Sequence, residues 1–413
     1  MKRMVSMLTQ EVVPAFGCTE PIALAFTAAK AVEELGTFPD ALVVSCSGNI
    51  IKNAKSVVIP NSEGRRGIYY SLILGALVGN AQRELEVLEA LTSADIEKAD
   101  ELMNSDFCKV TLAENVENLF IDVTAIKGNH RTRVVVQNKH THITHIEKDG
   151  VTVFDEPLAA AQAADELLTF DDCYAFADTA DLSEVQERLL QQFTYNMAIS
   201  EEGMTHDYGA NIGKLIMEEA TSLRDKARAY AAAGSDARMG GCSMPVMINC
   251  GSGNQGITIS VPIWVYAEEH AIPMERRIKA LALANLLALY IKQGIGRLSA
   301  YCAVVSAASA GAAGVAYLMG EPKAVVEATL SNALAGTSGV VCDGAKPSCA
   351  MKIALSVGNA LLAYKMARTD NNFKSGEGLV KGTVDRTVAT IGDVARVGMK
   401  ETDIVILESM LEK

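Results

Sequence analysis

Hydrophobic positions recur at helical spacing up to Val13, break across residues 14–21, and resume from Ile22 to Leu35 in an Ala-rich run closed by Gly36. That pattern predicts helix, turn and helix. Beyond Gly36 the period shortens towards two. Runs rich in β-branched residues at 41–46, 56–59, 108–112, 119–126, 131–137 and 142–146 predict strands, with helices over 69–80 and 90–104 between them. From Pro157 the strand signal fades, and Ala-, Leu- and Met-rich patterns predict helices over 278–291, 298–319, 324–335 and 350–367. Two short β-rich runs, 247–249 and 257–261, flank a glycine-rich turn. The expected fold is α+β: a mainly helical domain from residues 1–36 and 156–413, with a smaller α+β domain, residues 37–155, inserted into it.

Length and composition narrow the function classes. The 413 residues are 49% hydrophobic and 21% charged, the balance of a folded chain with room for two or three domains. Thirty-seven basic residues against fifty acidic give a net charge of −13 without a basic block, so no nucleic-acid surface is expected. The first twenty residues lack the apolar stretch of a secretory signal, which points to the cytoplasm. Residues 298–320 carry no charge over a length that could cross a bilayer. Their Ala, Gly and Ser content makes them a tightly packed buried helix in expectation, and no membrane partner is foreseen. Nine cysteines, an odd number, indicate free thiols or a metal site rather than a disulfide framework.

Cys302 falls inside that uncharged helix, while Cys342 and Cys349 bracket residues 343–348, where Gly344 and Pro347 break any helix. Both loop thiols can therefore turn to a common centre. Thiolates gathered this way select zinc or an iron–sulfur cluster, and a cubane with three protein ligands keeps one iron open as a Lewis acid. Packing thiols satisfy the same spacing. Cys18 precedes a helix that Thr19 or Glu20 can cap and Pro21 can open, beside N–H groups that favour a thiolate, so it is a candidate base or nucleophile; a turn filled by a thiol is the alternative.

Residues 251–256 (GSGNQG) match G-x-G-x-x-G, but β-rich sequence follows instead of the helix that a dinucleotide site requires. A nest of N–H groups, with Ser252, Asn254 and Gln255, that receives a small carboxylate fits the run, as does a plain strand-to-strand turn. Asn49 and Lys52, in a predicted loop after a strand, and Lys352, three residues past Cys349, are further polar candidates, with a solvated turn and a surface lysine as the bland readings. His140, His142 and His145 are expected on a solvated strand face.

Five segments taken in order, residues 11–21 (EVVPAFGCTEP), 48–53 (GNIIKN), 244–256 (MPVMINCGSGNQG), 294–314 (GIGRLSAYCAVVSAASAGAAG) and 339–352 (GVVCDGAKPSCAMK), resemble the iron–sulfur L-cysteine desulfidases, relatives of the α-chain domain of the iron–sulfur L-serine dehydratases. They span nearly the whole chain. The resemblance implies a [4Fe–4S] cluster on Cys302, Cys342 and Cys349, a reactive thiol at Cys18, and a PLP-independent lyase that converts L-cysteine to pyruvate, ammonia and sulfide. The helical domain is then the catalytic one. Asn49, Lys52, Ser252, Asn254, Gln255 and Lys352 become the substrate-binding set, and a homodimer is the expected assembly. Cys250 departs from the family pattern, and Cys46, Cys108, Cys173 and Cys242 are expected to fill space. Dehydration of L-serine or L-threonine by the same cluster, and a non-catalytic zinc- or thiol-binding protein, are the alternatives.

Overall fold

The computed structural model describes residues 1–156 and 167–411. The first part of the chain forms α1 (Lys2–Glu11), β1 (Pro14–Phe16), α2 (Thr19–Leu35), β2 (Ala41–Cys46), α3 (Gly48–Ala54), α4 (Gly67–Val78), α5 (Ser93–Met103), β3 (Cys108–Leu112), β4 (Phe120–Lys127), β5 (His130–Gln137), β6 (Ile143–Lys148) and β7 (Val151–Asp155). Helices then dominate: α6 (Phe170–Thr179), α7 (Ser183–Thr205), α8 (Ile212–Glu218), α9 (Leu223–Met239), the short β8 (Pro245–Met247), α10 (Gly253–Glu269), α11 (Met274–Ile295), α12 (Ala303–Leu318), α13 (Lys323–Thr337), α14 (Ser348–Arg368), α15 (Val384–Asp393) and α16 (Lys400–Leu411). The α+β class expected from the sequence is the one observed. The start of the helical region at Pro157 lies outside the described residues.

Six strands make one mixed sheet in the order β3-β2-β4-β5-β6-β7, parallel only between β2 and β3. Along β4 every second residue is buried, as period-two alternation requires of a half-covered sheet. What covers that face is α2. Its Ile22, Leu24, Ala25 and Ala28 share a core with Leu42, Val44, Ile121 and Val134. The sequence groups α2 with the helical domain, yet it packs on the sheet and also closely against α4, where a Cβ added to Gly75 would lie 2.3 Å from the Ala25 carbonyl oxygen. A second, larger core unites α6, α7, α9 to α13 and α14. Among the described residues α11 is the one helix long and apolar enough to cross a membrane, and most of it is buried within the protein.

Four local expectations are corrected. Residues 257–261 are not a strand but the middle of α10. Every residue from Gly253 to Ile263 is buried there, and packing on all sides overrides β-branched propensity. Residues 48–53 form α3, not a loop. Residues 56–59 make only an isolated bridge, Val58 to Arg66. The helix expected over 298–319 begins at Ala303, because Tyr301 bridges Val341 and keeps the preceding residues extended; Cys302 is thereby the N-cap of α12 and not a mid-helix residue. The sequence reading also missed β7, an edge strand with all five residues exposed and so without an alternating pattern.

One small feature brings the two cores together. β1 pairs antiparallel with β8, Pro14 opposite Met247 and Phe16 opposite Pro245. This pins residues 17–20 against the glycine-rich turn, where the Thr19 hydroxyl donates to the Gly251 carbonyl at 2.7 Å.

Candidate active site

Cys18, Cys302, Cys342 and Cys349 all line one cavity of about 690 Å³, its mouth included, together with Glu20, His140, Arg238, Ser252, Asn254, Gln255 and Lys292. Four helices begin at its wall. Cys18 is the N-cap of α2, Ser252 of α10 and Cys302 of α12, while Cys349 lies in the first turn of α14. Helix N-termini carry partial positive charge and unpaired N–H groups, which attract anions, although burial works against ionisation of the thiols themselves.

The bridge between Tyr301 and Val341 sets the thiol side of the cavity, with the Cys342 amide donating to Ala300 O at 2.6 Å and the Cys302 amide to Val340 O at 3.0 Å. Cys342 is the acidic member of the pair. The hydrogen bond from Cys302 lowers its pKa against the opposing pull of burial, with help from Lys52, the Gly344 amide and Lys352. Cys302 is raised by the same hydrogen bond and by burial, and Cys349 is raised chiefly by burial. Among the described residues no three His, Cys, Asp or Glu side chains are gathered as a site for a single metal ion. Three thiols spread along one wall, one already prone to ionise and lysines close behind, fit a multi-metal cluster whose ligands bind separate atoms.

Three of the predicted substrate residues support this wall instead of lining the cavity. Lys52, buried in α3, forms an ion pair of 2.5 Å with Asp403 of α16, and the Asn49 amide donates to the same carboxylate at 2.8 Å. Lys352 pairs with Asp343 and donates to Val341 O at 2.9 Å. Ser252, Asn254 and Gln255 do line the cavity. The Ser252 hydroxyl caps α10 by accepting from the Gln255 amide, and the Asn254 Oδ1 and Gln255 Oε1 atoms are buried without a partner. The helix following GSGNQG restores one condition for a dinucleotide site, but β8 is a three-residue strand paired antiparallel with β1, not part of a parallel βαβ unit.

Cys18 differs from its expected thiolate state. Burial first and the neighbouring Glu20 second push its pKa well up, so the thiol donates to Glu20 Oε2 at 3.1 Å. Burial alone would raise Glu20 as well, but His140 and the Cys18 hydrogen bond hold it ionised, at about 2. His140 is not on a solvated strand face: it is buried, with Nε2 3.8 Å from Glu20 Oε1. Gly251, at φ +78°, permits this approach, since a Cβ there would meet the imidazole at 2.7 Å. His142 and His145 pair with Glu156 and Asp155 at the sheet edge, away from the cavity.

The sequence reading also passed over Arg238 and Lys292. Arg238 ends the Ala-rich stretch 231–239 of α9, where every position is buried; the run of small residues leaving no exposed face was the available signal. Lys292 lies in the largely apolar α11. Burial lowers its pKa, partly offset by the charges of Cys250 and Cys342, and Nζ donates to Arg297 O at 3.1 Å.

This arrangement of thiols around a small polar cavity agrees with the comparisons of the whole sequence. Residues 82–408 match the family described as the serine dehydratase alpha chain, and the chain belongs to that family, whose description indicates a lyase-type enzyme. Among its relatives are UPF0597 proteins: one of Finegoldia magna, 45% identical over the full length of both chains; one of Lachnoclostridium phytofermentans, 43% identical over 99% of each; and one of Treponema denticola, 42% identical over all of this chain and 98% of the relative.

Proposed function

We propose that the protein is an L-cysteine desulfidase, a PLP-independent carbon–sulfur lyase that releases pyruvate, ammonia and sulfide. The observation that carries this reading is the convergence of Cys18 with Cys302, Cys342 and Cys349 on one cavity. Cys302, Cys342 and Cys349 would hold a [4Fe–4S] cluster, which when bound supplies a Lewis acid for the departing sulfur. The chain's own groups do the rest. Cys342 loses its proton readily, and the helix ends of α12 and α14 stabilise negative charge on the thiols. Cys18, in the resting site a thiol that donates to Glu20 Oε2 at 3.1 Å, would pass that proton to the Glu20 carboxylate and as thiolate accept the Cα proton. Elimination leaves an enamine, and water then replaces its nitrogen to give pyruvate. Nine free cysteines suit a reducing compartment, and we place the protein in the cytoplasm.

The family description favours a second reading, L-serine as substrate with hydroxide departing. An anaerobic preparation decides between them. Iron and acid-labile sulfide are measured per chain, with sulfide and pyruvate from L-cysteine set against pyruvate from L-serine. About four irons with cysteine turnover is the expected result. Serine preference would select the dehydratase, and no iron with no turnover after reconstitution would remove both.

A further inference from the structure

Arg238 is 3% exposed, and its Nε is buried without a hydrogen-bond partner. No carboxylate among the described residues pairs with its guanidinium. An uncompensated buried guanidinium is costly, and a cavity that keeps one open is built for an anion. The surroundings agree. A Cβ added to Gly253, the first residue of α10, would lie 2.4 Å from Arg238 Nε, so the guanidinium is laid against the start of a helix whose first-turn N–H groups also attract negative charge.

The opposite charge stands beside Cys18. Glu20 is 7% exposed; its Oε2 accepts from the Cys18 thiol at 3.1 Å and lies 3.1 Å from the Thr19 oxygen, whose proton goes to the Gly251 carbonyl. Its Oε1 faces His140 Nε2 at 3.8 Å, too far for a hydrogen bond, and that nitrogen is itself buried without a partner. Arg238 acts electrostatically on Cys18, as does Glu20, yet no ion pair joins Arg238 to Glu20. Two buried, opposite charges thus line one cavity together with the Cys18 thiol and are not paired with each other.

We propose that this pair recognises the substrate as a zwitterion: the carboxylate binds Arg238 and the N-terminus of α10, and the ammonium binds Glu20, which His140 positions. The only carbon that carries both groups in an α-amino acid is Cα. Anchoring both charges presents that carbon to Cys18 and leaves the β-substituent free to face Cys302, Cys342 and Cys349. The ligand class is a small α-amino acid; an amine without a carboxylate, or an acid without an amine, engages half of the site. This deepens the lyase reading and rests on it only for the fate of the β-substituent.

The test is calorimetric titration of the anaerobic protein with L-alanine, which has both charges and no leaving group, alongside propionate and ethylamine. L-Alanine is expected to bind about tenfold or more tightly than either half-ligand. Arg238→Lys and Arg238→Ala should weaken L-alanine and propionate by about ten- to hundredfold and leave ethylamine unchanged, whereas Glu20→Gln should weaken L-alanine and ethylamine and leave propionate unchanged. Damage to the fold would weaken all three ligands together. The conservative lysine and glutamine variants keep the test available should Arg238→Ala not fold, with circular dichroism as the check. Equal binding of the three ligands, or undiminished L-alanine binding by Arg238→Lys and Glu20→Gln, would overturn the proposal. L-Alanine binding by a protein that releases no sulfide removes the desulfidase reading alone, and sulfide release without L-alanine binding removes the zwitterion site alone.

Discussion

On the cysteine-loop wall the lysines near the thiols already have partners: Lys52 with Asp403, Lys346 and Lys352 with Asp343. Elsewhere on the lining of the same cavity, Arg238 Nε, Asn254 Oδ1, Gln255 Oε1 and His140 Nε2 are buried and have none. Both walls are polar and both line, or lie just behind, the same cavity. The difference separates two jobs. Paired groups hold a loop and tune the thiols without moving, since their hydrogen-bonding capacity is taken up by the fold. Unpaired groups carry a cost that only an incoming ligand relieves. Among the charged side chains, then, the lysines behind the thiols are paired within the fold and Arg238 is not.

The largest expected effects set the walls against each other directly. Cys342→Ser should lose iron and turnover together, while Cys18→Ser should keep its iron and lose turnover; equal iron loss in both, by metal analysis, would make Cys18 a structural ligand and merge the walls. Next in size is Asp403→Ala, which leaves the Lys52 ammonium buried without a counter-charge and should cost about 3 kcal/mol in urea unfolding with little change in KM. A raised KM with unchanged stability would instead move Lys52 to the substrate side.

Smaller effects probe the polar wall. Gly253→Ala should push the Arg238 side chain aside and raise KM for the amino acid while iron content stays the same. Asp236, behind this wall on α9, has its pKa raised to about 6 by burial, against an ordinary value of 3.8. Its proton therefore favours the folded state below pH 4, and that contribution is lost as pH rises through 6. Asp236→Asn should gain on the natural protein between pH 5 and pH 8, by about 2 °C or more in melting temperature. An unchanged difference across that range would show that Asp236 is ionised throughout.

The thiol wall was legible in the sequence because its chemistry is local. Gly344 and Pro347 announce the loop that carries Cys342 and Cys349, although packing thiols satisfy the same spacing and only the family resemblance singled these out. The boundaries of β2 and β3 could be read from their runs of β-forming residues. The polar wall was half legible. GSGNQG marked Ser252, Asn254 and Gln255, but His140 lies near two histidines that do sit at the sheet edge, and nothing in its neighbours tells it apart. Arg238 and Glu20 acquire meaning only when β1 meets β8. The same reason misplaced α2: its apolar face is equally suited to a helical bundle or a sheet, and pairing partners remote in sequence decide between them.

The bridge between Tyr301 and Val341 also orders events in time. It closes a short loop and brings Cys302 beside Cys342, with Cys349 a few residues further on. Other contacts around the cavity span more of the chain: that of Thr19 with Gly251 joins residues 232 apart, and that of Lys52 with Asp403, behind the thiols, joins residues 351 apart. Short loops close at less entropic cost and sooner than long ones. Bringing Cys302 beside Cys342 therefore costs the folding chain less entropy than the more distant contacts on which the rest of the lining depends.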